Sequence, residues 1–275
     1  MSLEEGATVN GKLQGWITTH QIPSFFVLAY AISWSLWGIA ALGGGQVVFL
    51  LGGLGPLLSA LAITRLSGES VRGWLRSLLA WRVSPGYYAM ALLLPPALFA
   101  VINLVLFALG HELDFALLLS VAPSYLGTFL LVATVGGGFE EPGWRGFALP
   151  RLQEQRSPLV STLFLGLAWG IWHIPLYGAA GFVVPLILAF FYTWLYNRTG
   201  SVIICLLLHA GFTPAQNLLT LAATPTGSGG GRPADSIDLV ILGVYIAAAL
   251  CLTLATRGRL GRKSTQTHAD GLPGY

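Results

Sequence analysis

Two adjacent carboxylates and two histidines stand inside otherwise apolar runs of this 275-residue chain. Glu140 and Glu141 follow Gly-Gly-Gly-Phe, His173 follows Trp169-Gly-Ile-Trp, and His209 follows three leucines. An ionised group at membrane depth is costly, so an intramembrane carboxylate points to a functional site. A carboxylate and two imidazoles that meet around a water molecule could hydrolyse a peptide bond, with Glu140 as the base. We therefore predict catalytic roles for Glu140, Glu141, His173 and His209.

Arg145 stands four residues after Glu141, a spacing that lets the two side chains form an ion pair on a helix. Such a pair would hold Glu141 charged while Glu140 faces the water. Two plainer interpretations compete: a structural ion pair at a helix end, and histidines that only join helices by hydrogen bonds. Proton-coupled transporters also use such groups, but the chain lacks the two matching halves with broken helices that many of them show.

The composition of the chain indicates what kind of scaffold carries these groups. The chain is 55% hydrophobic and 9% charged, with a mean hydropathy of +0.72, whereas a soluble domain carries about 25% charged residues. So few charges cannot cover a water-soluble body, which predicts an all-α polytopic membrane protein surrounded by lipid. The net charge of +3 gives no reason to expect a nucleic-acid partner.

The apolar runs divide into eight segments long enough to cross a bilayer, for which about 20 residues are needed. They form a single membrane domain over residues 22–256, between an N-terminal segment at 1–21 and a C-terminal tail at 257–275. Within residues 69–82, apolar positions recur every three or four residues, which predicts an interfacial amphipathic helix. We expect this helix to be an anchor, with a role in guiding substrate as the alternative. The predicted spans are 22–42, 47–66, 87–109, 121–139, 159–177, 182–196, 202–222 and 237–256.

The basic residues predict how the spans are oriented. With both termini on one side, every Lys and Arg except Arg232 falls on that side. The positive-inside rule places such loops in the cytoplasm. We therefore expect a multi-pass protein with cytoplasmic termini and a cytoplasmic amphipathic helix. The compact chain favours a prokaryotic plasma membrane, with an internal eukaryotic membrane as the alternative.

The connection between the fourth and fifth spans predicts which residues meet. Glu140 and His173 are equally far from a turn at Arg156-Ser157, so antiparallel helices would bring them to similar depth. His209 is about ten residues into the seventh span and would lie within a turn or two of them. Prolines follow each of the three polar positions, and they are tolerated where water or protein satisfies the freed backbone groups. We expect a wet cavity that opens toward the cytoplasmic leaflet.

Taken together, the polar residues form three motifs in the order and spacing of a known family: Glu140-Glu141-x-x-x-Arg145, Trp169-x-x-x-His173 and His209-x-x-x-Thr213. They resemble the motifs of the CPBP intramembrane proteases, which include type II CAAX prenyl endopeptidases, bacterial Abi proteins and lysostaphin-resistance-like proteins. The resemblance covers roughly residues 120–222. It implies an eight-span helical fold and a glutamate-dependent, metalloprotease-like endopeptidase. Such an enzyme would cleave membrane-associated or lipidated proteins near the cytoplasmic leaflet.

The resemblance also implies roles for the residues. Glu140 matches the residue that activates water, with His173 and His209 assisting and with Arg145 and Trp169 supporting the site. One carboxylate and two imidazoles can also hold zinc or another divalent metal with an open position for water. The chain has no His-Glu-x-x-His motif, and we favour direct catalysis. A metal held by Glu140, His173 and His209 is the alternative.

One position departs from the family pattern. Thr213 stands where the family usually has the Asn that serves the oxyanion, and a Thr hydroxyl can donate one hydrogen bond. Asn217, one turn later, is the other candidate donor. The departure leaves open a non-catalytic membrane protein of the same fold, acting as a scaffold or an immunity factor.

Overall fold

The computed structural model describes residues 11, 14–178, 180–222 and 236–262. Within these ranges the chain is a succession of helices, and the one β feature is an isolated bridge between Leu113 and Ala222. The all-α fold class is therefore confirmed. The residues before Gly11, the expected tail beyond residue 262 and Arg232 of the orientation argument lie outside the described residues.

The chain contains both long helices and short ones. Five helical stretches are long and apolar enough to cross a membrane, namely 21–52, 85–108, 116–155, 158–177 and 236–255, and Gly55–Leu66 and Val202–Leu218 are shorter apolar helices. A polytopic membrane protein is thus confirmed, while the number of eight crossings stays a prediction. In chain order the α-helices are α1 (Gln21–Ile39), α2 (Gly45–Gly52), α3 (Gly55–Leu66), α4 (Val71–Leu78), α5 (Pro85–Ala108), α6 (Ala116–Thr134), α7 (Glu141–Gly143), α8 (Leu149–Gln155), α9 (Pro158–Tyr177), α10 (Ala180–Thr199), α11 (Val202–Leu218) and α12 (Ser236–Ala255).

The first helix and the α2–α3 pair form an antiparallel hairpin. The chain reverses at Gly43, whose φ of 102° suits glycine. Farther along the hairpin, Ser59 Oγ donates to the carbonyl oxygen of Phe25 at 2.8 Å, which fixes the register. The second predicted span, 47–66, is helical but interrupted at residues 53–54, because consecutive glycines hold a helix only weakly.

The fourth predicted span, 121–139, does not continue as one helix to its end. α6 ends at Thr134, and a 3₁₀ turn at Gly137–Glu140 follows two non-helical residues. Three consecutive glycines disfavour a helix, and they also let the backbone approach its neighbours closely. A Cβ on Gly138 would lie 2.7 Å from the carbonyl oxygen of Val132. The carboxylates therefore belong to the segment after this break and not to α6.

The predicted amphipathic helix is α4, and it docks on an irregular turn next to the carboxylates. Ser70 caps α4 by accepting a hydrogen bond from the Gly73 amide at 3.0 Å. After α7 the chain widens into a π-helical turn at Trp144–Ala148. Such turns are rare in proteins as a whole, and those that occur are frequently at functional sites. The buried Trp74 of α4 donates its indole N–H to the carbonyl oxygen of Gly146 at 3.0 Å. The position of α4 at the cytoplasmic leaflet stays a prediction.

The helix connections gather at two ends of the bundle. At one of them, named the arginine-rich end, Arg151 bonds Glu69 at 2.6 Å and Arg198 bonds the Tyr87 hydroxyl at 3.1 Å. Every described arginine except the buried Arg145 lies in α4, in α8, in a connection or in the last turn of a helix at this end. Apart from Arg145, the described arginines are therefore segregated at one end, as the sequence predicts.

The opposite end is formed by the α5–α6 connection and the end of α11. The Asp114 amide donates to the carbonyl oxygen of Leu221 at 3.0 Å, and Asn103 Nδ2 donates to that of Leu219 at 2.7 Å. No arginine of the described ranges lies at this end. Which end faces the cytoplasm stays a prediction.

Candidate active site

Glu140 ends the 3₁₀ turn after α6, and its side chain is buried, with 4% of the residue exposed. Its Oε2 accepts hydrogen bonds from two indoles, Trp169 Nε1 at 2.8 Å and Trp144 Nε1 at 3.4 Å. Trp144 belongs to the same helical segment, whereas Trp169 comes from α9. Oε1 lies beside Gly137, where an added Cβ would be 3.2 Å from it, and it has no hydrogen bond to any described residue. One oxygen is thus held in place, and the other is open to a water molecule.

Glu141 and Arg145 form the ion pair that their spacing predicts. Arg145 Nη1 lies 3.0 Å from both carboxylate oxygens of Glu141, and both residues are fully buried. The guanidinium lies between two aromatic rings, with Cζ 4.2 Å from the centroids of Trp169 and of Tyr192. Nε and Nη2 of the guanidinium have no hydrogen-bond partner among the described residues. The attraction of the two ring faces for the cation acts in place of those hydrogen bonds. A buried charge is tolerated when it is paired, and each of these two side chains supplies the partner of the other.

His209 on α11 is oriented by this ion pair. Its Nδ1 lies 2.9 Å from Oε1 of Glu141. An ionised carboxylate only accepts hydrogen bonds, so Nδ1 carries a hydrogen and Nε2 is left for other partners. Nε2 faces Gly137, where an added Cβ would lie 2.9 Å from it. Glu141 therefore orients the ring of His209, while a catalytic role for either residue stays a prediction.

His173 on α9 is oriented in the same way by a backbone acceptor. Its Nδ1 lies 2.9 Å from the carbonyl oxygen of Trp169, one turn earlier. The carbonyl only accepts, so the hydrogen of the neutral ring is on Nδ1 and the lone pair is on Nε2. The ring packs against Trp172, with centroids 4.9 Å apart, and stacks on Tyr177 at 5.9 Å. Both histidines thus have Nδ1 engaged and Nε2 available.

One cavity of about 440 Å³ is lined by most of the residues that the sequence predicts, namely Glu140, Trp169, His173, His209, Thr213 and Asn217. Trp169 is the common neighbour of the three polar groups, because it bonds Glu140 and its centroid lies 5.6 Å from that of His173 and 5.8 Å from that of His209. Glu141 and Arg145 do not line the cavity and are fully buried beside it. The predicted convergence of one carboxylate and two imidazoles is present, while their catalytic roles stay a prediction.

Further polar groups reach the cavity outside the predicted set: Tyr177, Tyr192 and Gln216. Gln216 stands seven residues after His209, two helical turns along the same face. This spacing is the sequence feature that indicates Gln216 as a residue of the site. Tyr192 lies on α10, which carries no motif, so nothing in the sequence singles it out. The sequence does indicate a contact between Trp144 and Glu140, because the two are separated by the same four residues as Glu141 and Arg145.

Thr213 and Asn217 follow His209 on one face of α11 at four-residue steps. Thr213 Oγ1 donates to the carbonyl oxygen of His209 at 3.2 Å, and Asn217 Nδ2 donates to that of Thr213 at 2.8 Å. A hydroxyl has a single hydrogen, and this bond uses it, whereas an amide has two. Asn217 is therefore the better supplied donor for an oxyanion.

The cavity extends away from the arginine-rich end. On each helix of the site, the lining residues run from the middle toward the opposite end: on α9 Trp169, His173, Leu176 and Tyr177, and on α11 His209, Phe212, Thr213, Gln216 and Asn217. The expectation that the cavity opens on the side of the basic loops is therefore wrong. Equal distances from a turn predict that two residues share a depth, but they do not predict on which side of them the helices diverge.

A metal ion is the alternative that the resemblance leaves open. Among the residues that the structure describes, no group of three or more His, Cys, Asp and Glu side chains is arranged to hold one. Hydrogen bonds engage Oε2 of Glu140 and Nδ1 of His173 and of His209, which leaves Oε1 and the two Nε2 atoms free. A metal-ligating His usually donates its other ring N–H to a carboxylate or a backbone carbonyl, as both histidines do. A metal held by Glu140, His173 and His209 therefore stays the alternative, and the reaction proposed from these residues uses none.

Comparison with known proteins agrees with the motifs. Residues 122–213 match the family model described as type II CAAX prenyl endopeptidase Rce1-like. The chain is also 32% identical over 111 residues to CAAX prenyl protease 2 of Methanococcus maripaludis, an alignment that covers 34% of this chain and 39% of that relative. The chain thus spans about two-fifths of the length of the curated relative that it matches. The matched segment contains all three motifs, from Glu140 to Thr213, and the resemblance to the CPBP family is confirmed over it.

Proposed function

We propose that this chain, whose residues 122–213 are of the Rce1-like type, is an intramembrane endopeptidase in which Glu140 activates a water molecule. The observation that carries the proposal is the environment of Glu140. One carboxylate oxygen is held by an indole at 2.8 Å, and the other faces a cavity that His173 and His209 also line. A general base must reach its proton directly or through one water, and the open Oε1 meets this condition.

In the proposed reaction, Glu140 accepts one proton from water while the water oxygen bonds to the carbonyl carbon of the peptide. His173 orients the same water, because the lone pair on its Nε2 accepts the other hydrogen. When the C–N bond breaks, Glu140 returns its proton to the leaving nitrogen. Water is thus divided between the new carboxyl group and the new amine, and the enzyme is unchanged.

His209 is the proposed donor to the oxyanion. The buried cluster contains two carboxylates, Glu140 and Glu141, and a single arginine, so a protonated His209 would balance its charge. Its Nε2–H would then donate to the negative oxygen as that charge develops.

We further propose that the substrate is a membrane-associated or lipidated protein or peptide. Around the polar groups, the cavity is lined by apolar side chains, among them Trp37, Phe49 and Leu188. Such walls favour an apolar chain beside the scissile bond. The relative from Methanococcus is named a CAAX prenyl protease, which makes a lipidated C-terminal peptide the first substrate to try.

A second candidate function, a non-catalytic scaffold or immunity factor of the same fold, is favoured by Thr213. The single hydrogen of its hydroxyl group is donated to the helix backbone, so this position cannot serve an oxyanion as an Asn would. If this function is the true one, a Glu140→Gln variant would restore a cellular phenotype of a deletion strain as fully as the wild type does.

The proposed activity is tested with the purified full chain and a lipidated C-terminal peptide in detergent or lipid. Loss of a general base lowers the rate by about 10²- to 10⁴-fold, and Glu140→Gln is expected to show this loss. The matched control is Glu154→Gln, an exposed carboxylate on α8, which is expected to keep the wild-type rate. Equal rates for both variants would remove the assignment of Glu140.

A further inference from the structure

A second pocket, separate from the candidate active site, lies at the arginine-rich end. It has a volume of about 430 Å³, and its lining includes Arg198 at the end of α10 together with Arg259 and Arg262 of the segment after α12. Tyr87 and Trp194 complete one wall. We propose that this pocket binds the phosphate-bearing headgroup of an anionic phospholipid.

The charge of the pocket is the first argument. Its lining contains three arginines and no carboxylate. In the described part of the chain, the arginines that pair with carboxylates are Arg145 and Arg151, and neither lines this pocket. All three pocket arginines are exposed, so their guanidinium groups can reach an anion from outside. Planar guanidinium groups bind phosphate oxygens through paired N–H donors.

Two of the arginines are held in place by neighbours that leave other donors unused. Arg198 Nε donates to the Tyr87 hydroxyl at 3.1 Å, so its two terminal nitrogens stay available. Arg262 Nη1 donates to the carbonyl oxygen of Gln153 at 2.5 Å, which leaves Nη2. Holding a side chain in its bound position lowers the entropy that a ligand must overcome.

The backbone after α12 is folded so that it presents Arg259 and Arg262 beside Arg198. Leu260 is fully buried, and its carbonyl oxygen accepts from Asn197 Nδ2 at 2.9 Å. Gly261, with a φ of 79°, runs so close to α10 that a Cβ there would lie 2.7 Å from Cγ of Arg198. These contacts join the segment to α10 and place arginines from both on one pocket.

The position in the bundle indicates a lipid rather than a free anion. The pocket lies where α5 begins and where α10 and α12 end, which is the level at which a membrane-spanning bundle meets the headgroups. Tyr and Trp are typical of that level, and the rings of Tyr87 and Trp194 contact each other with centroids 6.5 Å apart. Met90, one turn into α5, also lines the pocket and offers an apolar surface to the start of an acyl chain.

The test is a lipid titration of the purified full chain in detergent, followed by native mass spectrometry. Phosphatidylglycerol and phosphatidylcholine with the same acyl chains are compared, and inorganic phosphate is added as a competitor. Phosphatidylglycerol is expected to bind at least tenfold more tightly than phosphatidylcholine, and millimolar phosphate is expected to displace little of it. Each of Arg198→Gln and Arg259→Gln should weaken the binding of phosphatidylglycerol by about fivefold, which is the effect of one arginine near an anionic surface.

The matched control is Arg65→Gln, which removes an exposed arginine from the last turn of α3, at the same end but outside the pocket. It should bind phosphatidylglycerol as the wild type does, and circular dichroism checks that all variants are folded. The proposal is overturned if the two lipids bind equally, if Arg65→Gln weakens binding as much as Arg198→Gln, or if inorganic phosphate displaces the lipid completely. The last result would identify a site for a free anion.

Discussion

Trp169 Nε1 lies 2.8 Å from Oε2 of Glu140, and this bond joins α9 to the segment that carries both carboxylates. The same indole contacts the guanidinium of Arg145 with its ring face, and its ring packs against His173 and His209. Trp169 therefore contacts Glu140, the buried Arg145 and both imidazoles and holds them in one arrangement. The family resemblance implied that Trp169 supports the site, but it did not imply which group the indole would bind.

The bond from Trp169 predicts a defect in turnover rather than in substrate binding. In Trp169→Phe the ring remains beside Arg145 while the hydrogen bond to Glu140 is lost. A hydrogen bond to a charged group contributes about 1.5–3 kcal/mol, so kcat should fall about tenfold to hundredfold with KM unchanged. Trp81→Phe, at an exposed tryptophan of the α4–α5 connection, should behave as the wild type. An unchanged kcat for Trp169→Phe would show that the indole does not position the base.

Gly137 predicts a steric test of the cavity. An added Cβ there would lie 2.9 Å from His209 Nε2 and 3.2 Å from Glu140 Oε1, in the space assigned to the water. Gly137→Ala should therefore lower kcat by at least about tenfold, with a melting temperature close to the wild type. Gly127→Ala is the matched control, because nothing lies within 4 Å of a Cβ at that position. Full activity in Gly137→Ala would mean that the water is held elsewhere.

The buried ion pair predicts a large effect on stability. Glu141→Ala leaves Arg145 buried without its partner, and breaking such a pair costs about 3–5 kcal/mol of unfolding free energy. The pair of Glu69 and Arg151 is the control, since 41% of the Glu69 side chain is exposed and solvent screens the pair, so Glu69→Ala should cost only about 1 kcal/mol. Denaturant unfolding in detergent micelles measures both values. Equal losses in the two variants would contradict the structural role of Glu141.

The direction of the cavity predicts its accessibility. Val184 lines the cavity, whereas Ser77 of α4 is exposed at the arginine-rich end. In a chain whose two cysteines are replaced by alanine, Val184→Cys should react with a membrane-impermeant thiol reagent from one side of the membrane. Ser77→Cys should react from the other side. Reaction of both variants from the same side would contradict a cavity that opens away from the arginine-rich end.

How far the sequence predicts the site can be seen at particular residues. The pair of Glu141 and Arg145 follows from helical spacing, and the approach of α9 to Glu140 follows from the turn between α8 and α9, because both depend on local geometry. The break before Gly137 and the π turn at Trp144–Ala148 do not follow from it. Glycines permit several backbone conformations, and the packing of neighbouring helices selects one.

The direction of the cavity depends on tertiary structure in the same way. It is set by where α9, α10 and α11 diverge, and no single segment records this. Tyr192 illustrates the limit, because it contacts Arg145 across two helices and stands in no motif. The positions of the basic residues, in contrast, predict from the sequence alone which connections share one end of the bundle, because their segregation reflects the cost of placing charges in a membrane.

The central claim, that Glu140 activates water, is tested most directly by a single turnover in H₂¹⁸O with the enzyme in excess over a lipidated peptide. The wild type is predicted to place one ¹⁸O atom in the new carboxyl group of the product and none in the tryptic peptide that carries Glu140. The Glu140→Gln variant is predicted to form this product at least about 10²-fold more slowly. Cleavage by Glu140→Gln at the wild-type rate, or ¹⁸O in the side chain of Glu140, would contradict the claim.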